Sequence, residues 1–375
     1  MHKTPYYQYS RSKLKQTAKF LKSIKSPYGL NVKYAVKANP YPEIISIFDG
    51  LGLGFDASSS YEAQHLLDCG VKGKKISLSS QQSAHNLQDL IKNEVKLTAT
   101  SLKQLQDFID LKQRPNNISI RINPGVGSGY YKRFTTGGVG ASFGIWHEYI
   151  DEALSLATKA RIKIDHMQIH IGTGTDPAVW SRVAKDSLKL ISRLPDVKTL
   201  NMGGGFKIAY HPDDKEADVE AILEAIGDEL ENYQTDTSRK ITLEIEPGRF
   251  LVAHAGTLLA TIDDIVDTGS EGYEFIRLNT GMNDFLRTSM YGAYHNIEVL
   301  NSQTETKEYV VVGHNCETGD TLTTKRDDAE TIATRTLKKA SIGDTVAIYD
   351  AGAYCASMRA KGYNAFPDAT EMMVD

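Results

Sequence analysis

Three short segments of this 375-residue chain carry side chains suited to acid, base or nucleophilic chemistry. Each is centred on a different group: a lysine in YAVKANP, a histidine in HIGTG and a glutamate in EPGR (Lys37, His170 and Glu246). A lysine amine whose pKa is lowered by burial forms Schiff bases, while imidazole and carboxylate groups transfer protons. Together the three segments indicate Schiff-base chemistry.

Each of these residues also has an ordinary explanation. Lys37 could be a solvated charge, although the apolar residues before it and Ala-Asn-Pro after it predict a partly enclosed stem. His170 alone is as well explained by a satisfied core histidine. His166 and His170 have the spacing of a helical zinc pair, but they lie on a predicted strand with no H-E-x-x-H motif, so no metal site is expected.

Short β-branched and apolar runs alternate with amphipathic helical segments across residues of about 30 to 250, which predicts a parallel sheet. Several of the helical segments begin with Ser or Asp at the N-cap position. Eight strand and helix pairs are typical of a (β/α)₈ TIM barrel. The predicted strands are Val32–Ala38, Leu53–Ala57, Lys75–Ser79, Lys96–Thr100, Ile118–Asn123, Ile164–Ile171, Thr199–Met202 and Ile241–Ile245.

Beyond Arg249 the pattern changes to alternating runs such as TLLATIDDIVDT and DTVAIYDAGA, separated by Asp, Gly and Asn turns. This pattern predicts an antiparallel β-sandwich or β-barrel domain. We therefore expect a barrel over residues 10–250, and a β domain made of residues 1–9 and 251–375.

In a (β/α)₈ barrel the active site lies at the carboxyl ends of the strands. The residues expected there include an amine, an imidazole, a guanidinium, carboxylates and the glycine run 203–205, whose backbone N–H groups could approach a phosphate. They are Lys37, Asp56, Arg121, His170, Gly204, Gly205 and Glu246.

Composition excludes several classes of partner. With 43 Lys+Arg against 47 Asp+Glu, the net charge of -4 gives no basic footprint for nucleic acid. No apolar run approaches the roughly 20 residues of a membrane span, and the N-terminus lacks an apolar leader. The odd count of 3 cysteines without a C-x-x-C pair suits a reducing compartment, so we expect a cytoplasmic protein.

The motifs resemble those of the fold-type III pyridoxal-phosphate-dependent decarboxylases, and within them the diaminopimelate decarboxylases. YAVKAN, FDASSSYE, HIGTG, GGG and EPGR follow one another in the family's order, and GMNDFLRTSMYGAYH, HNCETGD and DAGAY continue it. The resemblance implies an alanine-racemase-like barrel and pyridoxal 5'-phosphate as cofactor.

The resemblance also assigns cofactor contacts. Lys37 would form the imine with pyridoxal phosphate, His170 would stack on its ring, and Glu246 would pair with the pyridine nitrogen. A carboxylate in that place keeps the ring protonated, which favours decarboxylation. The other residues expected to bind the cofactor are Asp56, Arg121, Thr173, Gly204, Gly205, Gly248, Arg249 and Tyr354.

For the substrate, the resemblance implies that an arginine and tyrosine group holds the distal carboxylate, a glutamate the distal ammonium, and a cysteine protonates the reacting carbon. The first group is Arg249, Arg287 and Tyr291, the glutamate is Glu317 and the cysteine is Cys316. Tyr354 is expected to contact the substrate as well as the cofactor. The family builds this site across a homodimer, with the Cys-Glu segment donated by the second subunit. Arg287 and Tyr291 could instead be a surface stack, and Cys316 a small buried hydrophobe.

The expected reaction is the conversion of meso-2,6-diaminopimelate to L-lysine and CO₂. Departures from the family's usual motifs, such as CETGD and the SFGI that begins at Ser142, leave room for ornithine, lysine or a carrier-bound amino acid. Glu246 disfavours a racemase, and Cys316 with the Arg287–Tyr291 segment disfavours a protein that only binds the cofactor.

Overall fold

The computed structural model describes residues 3–125, 137–170 and 172–375, and its chain divides into two compact units. One unit consists of Lys15–Ile208 and Lys215–Leu251. The other consists of Ala209–Asp214 and Val252–Asp375 together with the N-terminal residues up to Leu14.

The chain begins with strand β1 (Tyr6–Ser10) and helix α1 (Arg11–Ser23). Nine strands follow in the first unit: β2 (Leu30–Ala35), β3 (Gly54–Ala57), β4 (Ile76–Leu78), β5 (Lys96–Ala99), β6 (Asn117–Asn123), β7 (Ile145–Trp146), β8 (Lys163–Gln168), β9 (Thr199–Asn201) and β10 (Thr242–Ile245). Between and after them lie α2 (Pro42–Gly50), α3 (Ser60–Asp68), α4 (Leu87–Lys92), α5 (Leu102–Ile109), α6 (Ile150–Lys159), α7 (Pro177–Ile191), α8 (Val219–Thr237) and α9 (Arg249–Val252).

Eight of these strands form a closed parallel barrel. Around it they run β2, β3, β4, β5, β6, β8, β9 and β10, and β10 pairs again with β2. The short strand β7 pairs with the last two residues of β6, Ile122 and Asn123. All eight predicted strands are present, so the predicted (β/α)₈ barrel is confirmed.

The helix starts follow from local hydrogen bonding. Ser59, Ser101 and Asp218 each accept a hydrogen bond from a backbone N–H three residues on, and Asp176 accepts one from two residues on. These side chains satisfy N–H groups that have no partner within the helix. In FDASSSYE, Glu62 also accepts a hydrogen bond from the Ser58 N–H at 2.6 Å, one residue before the N-cap Ser59, so this start resembles a capping box shifted by one residue.

Two predicted strands extend too far, and the difference matters for the site. β2 ends at Ala35, and Val36–Ala38 form one turn of 3-10 helix closed by the Asn39 N–H donating to the Val36 carbonyl at 3.0 Å. Lys37 therefore lies in a turn rather than on the strand. β8 ends at Gln168, and Ile171, the last residue of the predicted strand, lies outside the described residues.

The second unit is built mainly of β-strands, which confirms the predicted β domain. After α9 it contains β11 (Gly256–Asp267), β12 (Glu274–Leu278), α10 (Arg287–Tyr291), β13 (Ile297–Leu300), β14 (Thr306–Val312), β15 (Thr324–Lys325), β16 (Asp328–Ile332), β17 (Arg335–Lys338), β18 (Thr345–Ile348) and β19 (Thr370–Val374). The main sheet runs β13, β18, β11, β12, β14, β17. Most pairs are antiparallel, but β12 pairs parallel with β14, and β1 pairs parallel with β19 because the two ends of the chain run side by side.

Within the described part of the chain, none of the helices combines the length and the apolar character needed to cross a bilayer.

Candidate active site

Three neighbouring barrel strands end in polar side chains that meet inside the barrel. Gln168 closes β8, Asn201 closes β9, and Glu246 directly follows β10. The Gln168 side-chain amide donates to both carboxyl oxygens of Glu246, at 2.7 and 2.9 Å, and the Asn201 amide donates to one of them at 2.5 Å. Glu246 is thus fixed in position by two amides on adjacent strands.

Burial controls the charge of Glu246. Only 7% of the residue is exposed, and it forms no salt bridge with any residue that the structure describes. Burial first, and then the nearby carboxylates of Asp56 and Glu244, raise the pKa of Glu246 to about 8. At neutral pH this carboxyl keeps its proton unless a positively charged group comes beside it.

The raised pKa of Glu246 predicts a pH-dependent stability for the cofactor-free protein. Between the ordinary pKa of 4.5 and about 8, the folded state holds a proton that the unfolded state has lost. Stability therefore falls as pH rises through that window. We expect Glu246→Gln, which is neutral at every pH, to remove much of this fall when Tm is measured from about pH 5 to 8.

Glu244→Gln is the matched control for that measurement. Burial opposes ionisation of Glu244, but Lys33 and the hydrogen bond from His166 outweigh it and lower the pKa to about 2. Glu244 is charged over the whole window and does not itself titrate there, so the control should lose stability while keeping most of the fall. The fall should end at a somewhat lower pH, because one of the carboxylates that raise the pKa of Glu246 is gone. Equal slopes in the wild type and Glu246→Gln would contradict the assignment.

A second group of charges lies at the ends of β3 and β6. Asp56 is buried, and its carboxylate accepts a hydrogen bond from the Ser79 hydroxyl at 2.8 Å. Burial raises the pKa of Asp56, and the Lys37 ammonium opposes that rise. Arg121 is buried over the ring of Phe143, with its guanidinium carbon 5.1 Å from the ring centroid.

The exposure of Lys37 differs from what the sequence predicts. Its side chain is exposed rather than partly enclosed, because the 3-10 turn carries it past the end of β2. The amine still lies close enough to Asp56 and His170 to act on the pKa of both. It is therefore accessible at the carboxyl end of the barrel.

His170 is a neutral imidazole. Burial first, and then the positive charges of Arg121 and Lys37, lower its pKa well below the ordinary value. Its Nδ1 accepts a hydrogen bond from the Gly204 N–H at 3.2 Å, so the ring proton lies on Nε2. His170 can therefore present an uncharged ring to a ligand.

Only glycine fits in the run that follows β9, because the backbone there packs directly against neighbouring backbone. A Cβ atom on Gly204 would lie 2.4 Å from the Glu246 carbonyl oxygen, and one on Gly205 would lie 1.8 Å from the Gly172 carbonyl oxygen. Gly205 also has a φ of +108°. Gly172 and Thr173 lie beside Gly205, and Gly174 pairs with Phe206, so residues 172–174 and the glycine run form one backbone cradle.

Gly248 closes the same end of the barrel from another side. A Cβ there would approach the Cβ atoms of Ala38 and Ala35 at 3.0 and 3.2 Å, so the EPGR turn packs on the turn that carries Lys37. The Ala35 N–H also donates to the Pro247 carbonyl at 3.2 Å. Arg249, next along the chain, is half-buried.

The structure thus brings one set of predicted residues together in the barrel. These are Lys37, Asp56, Arg121, His170, Thr173, Gly204, Gly205, Glu246 and Gly248. Gln168 and Asn201, which hold Glu246, are not among the residues predicted from the sequence. The signal was available, because Gln168 follows His166 by two residues on one strand and so shares its inward face.

Arg249 also lies in the barrel unit, and the remaining predicted residues belong to the second unit. Arg287 there is 6% exposed, so it is not part of a surface stack. Its guanidinium donates to the Tyr210 hydroxyl at 2.6 Å and lies 4.7 Å from the centroid of that ring. Burial opposes the charge of Arg287, but Tyr210 and Cys355 outweigh it, so the pKa is raised and the guanidinium stays charged.

Tyr291 and Tyr354 are half-buried in the same unit. Tyr291 ends α10, one turn after Arg287. Tyr354 has a φ of +58°, which is uncommon for an aromatic residue and costs about 1–3 kcal/mol. Such strain is concentrated at ligand-binding positions, which agrees with the assigned role of Tyr354.

Cys316 and Glu317 lie at the tip of an exposed and well-supported loop. Both residues are exposed, so Cys316 is not a buried hydrophobe. Below them the buried Asp320 carboxylate accepts hydrogen bonds from the Asn315 N–H at 2.9 Å and the Met282 N–H at 2.6 Å. The Tyr363 hydroxyl donates to Glu317 at 3.0 Å. The loop therefore presents a thiol and a carboxylate in a defined orientation.

These features fit pyridoxal 5'-phosphate. Gly203 and Gly205 both have a positive φ, and successive backbone groups in turns of this kind form concave sites that bind phosphate. Glu246 is a buried carboxyl with no salt bridge among the described residues, so a protonated ring nitrogen would match it. The Gln168 Oε1 atom beside it is also buried without a hydrogen-bond partner, as expected where a further group belongs.

Comparison with known proteins gives one consistent answer. Residues 11–253 match the family model described as "Pyridoxal-dependent decarboxylase, pyridoxal binding domain". The diaminopimelate decarboxylase of Streptomyces coelicolor is 30% identical over 356 residues, which cover 92% of this chain and 79% of that protein. The enzyme of Escherichia coli K12 is 28% identical, with 92% and 83% covered.

Solved structures agree with the sequence relatives. A crystal structure of diaminopimelate decarboxylase matches with a TM-score of 0.90 and 27% identity, over 99% of this chain and 88% of that one. The Helicobacter pylori enzyme complexed with L-lysine matches with a TM-score of 0.87 and 28% identity, over 100% and 92%. The predicted cofactor, pyridoxal 5'-phosphate, and the predicted carboxy-lyase class are confirmed. The chain belongs to the pyridoxal-dependent decarboxylases, and the relatives named above are diaminopimelate decarboxylases.

Proposed function

We propose that this enzyme converts meso-2,6-diaminopimelate to L-lysine and CO₂. The observation that carries the proposal is the buried Glu246 carboxyl, which Gln168 and Asn201 hold by hydrogen bonds and no salt bridge in the described chain neutralises. The relatives named above, one of them in complex with L-lysine, support the choice of substrate.

The barrel residues would hold the cofactor and set its charge. Lys37 would bind it covalently, the glycine cradle with Thr173 would hold its phosphate, and the neutral His170 ring would pack on its face. Glu246 would keep a proton at the pyridine nitrogen, because a buried carboxylate is stable only beside a positive group. When bound, pyridoxal phosphate accepts the electron pair that the departing carboxylate leaves behind.

The second unit would bind the far end of the substrate. The Arg287 guanidinium, buried and charged, suits a carboxylate because it donates two parallel hydrogen bonds. Arg249, Tyr291 and Tyr354 are proposed to complete that contact, and Glu317 to bind the distal ammonium. The positive Arg287 and the negative Glu317 would favour a substrate with both a carboxylate and an ammonium at its far end. Ornithine and lysine have only the ammonium there.

Cys316 is proposed as the acid of the reaction. The bond between the α-carbon and its carboxylate breaks, CO₂ leaves, and the thiol delivers a proton to that carbon. Cys316 and Glu317 are exposed on a loop that Asp320 fixes from below. An exposed and ordered catalytic loop supports a homodimer in which each loop completes the site of the partner subunit.

We also propose a cytoplasmic location. All three cysteines are free thiols, as expected in a reducing compartment.

A substrate panel tests the choice of amino acid. CO₂ release by the purified holoenzyme is measured from meso-diaminopimelate, ornithine, L-lysine and D-lysine. We expect kcat/KM for meso-diaminopimelate to exceed the others by about a hundredfold or more, because the analogues leave Arg287 without its carboxylate. Faster turnover of ornithine or lysine would show that the substrate is a different diamino acid.

Arg287→Lys, measured with the same panel of substrates, tests whether Arg287 recognises the distal carboxylate. It should reduce kcat/KM for meso-diaminopimelate while changing slow turnover of lysine much less, because only the former has a distal carboxylate. An equal loss for both substrates would indicate that Arg287 only supports the fold.

A further inference from the structure

The barrel contains a large cavity at the end opposite the candidate active site. Its volume is about 1010 Å³, and it lies among the amino ends of the barrel strands. None of the residues assigned above to the cofactor or the substrate lines it. The reaction therefore does not account for this space.

The charge of the cavity contrasts with that of the chain. Eight lysine and arginine side chains line it against three carboxylates, whereas the whole protein has a net charge of -4. A cleft with walls of one sign focuses its field and concentrates ions of the opposite sign. The ligand that this cavity favours is therefore an anion.

Three of the lysines are available for a ligand. Lys74, Lys96 and Lys198 lie at the amino ends of β4, β5 and β9, so they surround the mouth. All three are exposed, and none forms a salt bridge with a carboxylate of the described residues. By contrast, Lys75 is paired with Asp49 at 2.6 Å.

The cavity is not a purely ionic surface. Apolar side chains line it beside the lysines, among them Val32, Leu97, Phe108 and Ile118. Its volume matches that of pockets that enclose an organic ligand. We propose that this cavity is a regulatory site for an organic polyphosphate, whose phosphates bind the three lysines and whose apolar or aromatic body contacts the apolar wall.

A chain of hydrogen bonds links this cavity to the cofactor site. Lys33 and Glu244 line the cavity and form a salt bridge of 2.8 Å, with 13% and 5% of their side chains exposed. The Asn201 amide then donates to Glu244 at 2.8 Å and to Glu246 at 2.5 Å. An anion that draws Lys33 away from Glu244 would alter the hydrogen bonds that position Glu246. Ligand binding in the cavity would in this way change the position of Glu246, which sets the charge of the cofactor.

Titration calorimetry of the holoenzyme tests the site without using the reaction. The probes are adenosine triphosphate and inorganic tripolyphosphate at low ionic strength, where screening is weak. We expect the nucleotide to bind more tightly than tripolyphosphate, because only the nucleotide has a body for the apolar wall. The double variant Lys96→Glu/Lys198→Glu should weaken nucleotide binding by at least about tenfold.

Lys159→Glu/Lys185→Glu is the matched control, since it makes the same change of charge at exposed lysines on α6 and α7, outside the cavity. This control should bind the nucleotide like the wild type. Absence of binding, or equal weakening in both double variants, would overturn the site. Equal affinity for the two probes would contradict the role of the apolar wall.

The proposed link between the cavity and Glu246 is tested by a separate measurement, the absorption spectrum of the bound cofactor. Saturation with the nucleotide should change the absorption spectrum of the bound cofactor, and the Lys96→Glu/Lys198→Glu variant should not show this change at the same concentration. Binding without any spectral change would contradict the link to Glu246. None of these results depends on which amino acid the enzyme consumes, so they are separate from the test of the proposed function.

Discussion

Lys37→Ala is expected to abolish decarboxylation, with kcat reduced by about a thousandfold or more, because no other amine is assigned to bind the cofactor covalently. The fold should be retained. Lys37 is exposed in a 3-10 turn, so truncating it leaves no cavity in the core. The variant therefore separates chemistry from stability.

The measurement for this variant is the mass of the protein after reduction with borohydride, which traps a lysine imine. Wild-type protein should gain the mass of one reduced cofactor, and Lys37→Ala should not. Lys185→Ala, at an exposed helix position, is the control and should behave as wild type. A Lys37→Ala protein that still gains the cofactor mass would show that another lysine binds it.

The second large effect is expected from mixing two inactive proteins. Lys37→Ala lacks the residue proposed to bind the cofactor, and Cys316→Ala lacks the proposed acid. If each site combines the barrel of one subunit with the Cys316 loop of the other, a mixed dimer contains one site with both residues intact. Subunit exchange in an equal mixture should restore about a quarter of wild-type activity, because half of the dimers are mixed and each has one complete site.

The control for this mixing experiment is a protein carrying both substitutions on one chain. When this double variant is mixed with wild type, the only chain that carries both Lys37 and Cys316 is the wild-type chain. On its own, the double variant should remain inactive. Failure of the two single variants to recover activity, after exchange has been verified, would show that each protomer builds its site from its own Cys316. Cys316→Ala with wild-type turnover would show that the thiol is not the acid.

The sequence predicted the barrel strands well because their signal is local. Short apolar runs bounded by turn residues marked all eight strands, and Glu246 was identified because it directly follows one of them. The expectation that several helices begin with Ser or Asp was also met, by Ser59, Ser101, Asp176 and Asp218, because an N-cap is a contact between near neighbours in the chain.

The sequence could not locate features that depend on distant contacts. β2 ends early because its continuation packs on the EPGR turn, which is more than 200 residues away. Arg287 is held by Tyr210, 77 residues earlier in the chain. Neither pairing leaves a local pattern.

Some of what was missed did leave a pattern. His166 and Gln168 alternate along β8, and Glu244 and Glu246 alternate at the end of β10, so polar residues recur at every second position. In a barrel strand that period places them all inside. The polar interior that joins Glu244 to Glu246 was therefore predictable in outline, whereas the pKa of about 8 for Glu246 required the burial that only the structure provides.

The most direct test of the account follows both products of a single reaction. The holoenzyme is incubated with meso-diaminopimelate in deuterated water, and CO₂, L-lysine and bound deuterium are measured together. The account predicts one CO₂ and one L-lysine for each substrate consumed, with one deuterium at the carbon that lost its carboxylate. Deuterium in recovered diaminopimelate without release of CO₂ would contradict it, because that result would identify an enzyme that exchanges the α-proton and leaves the carboxylate in place.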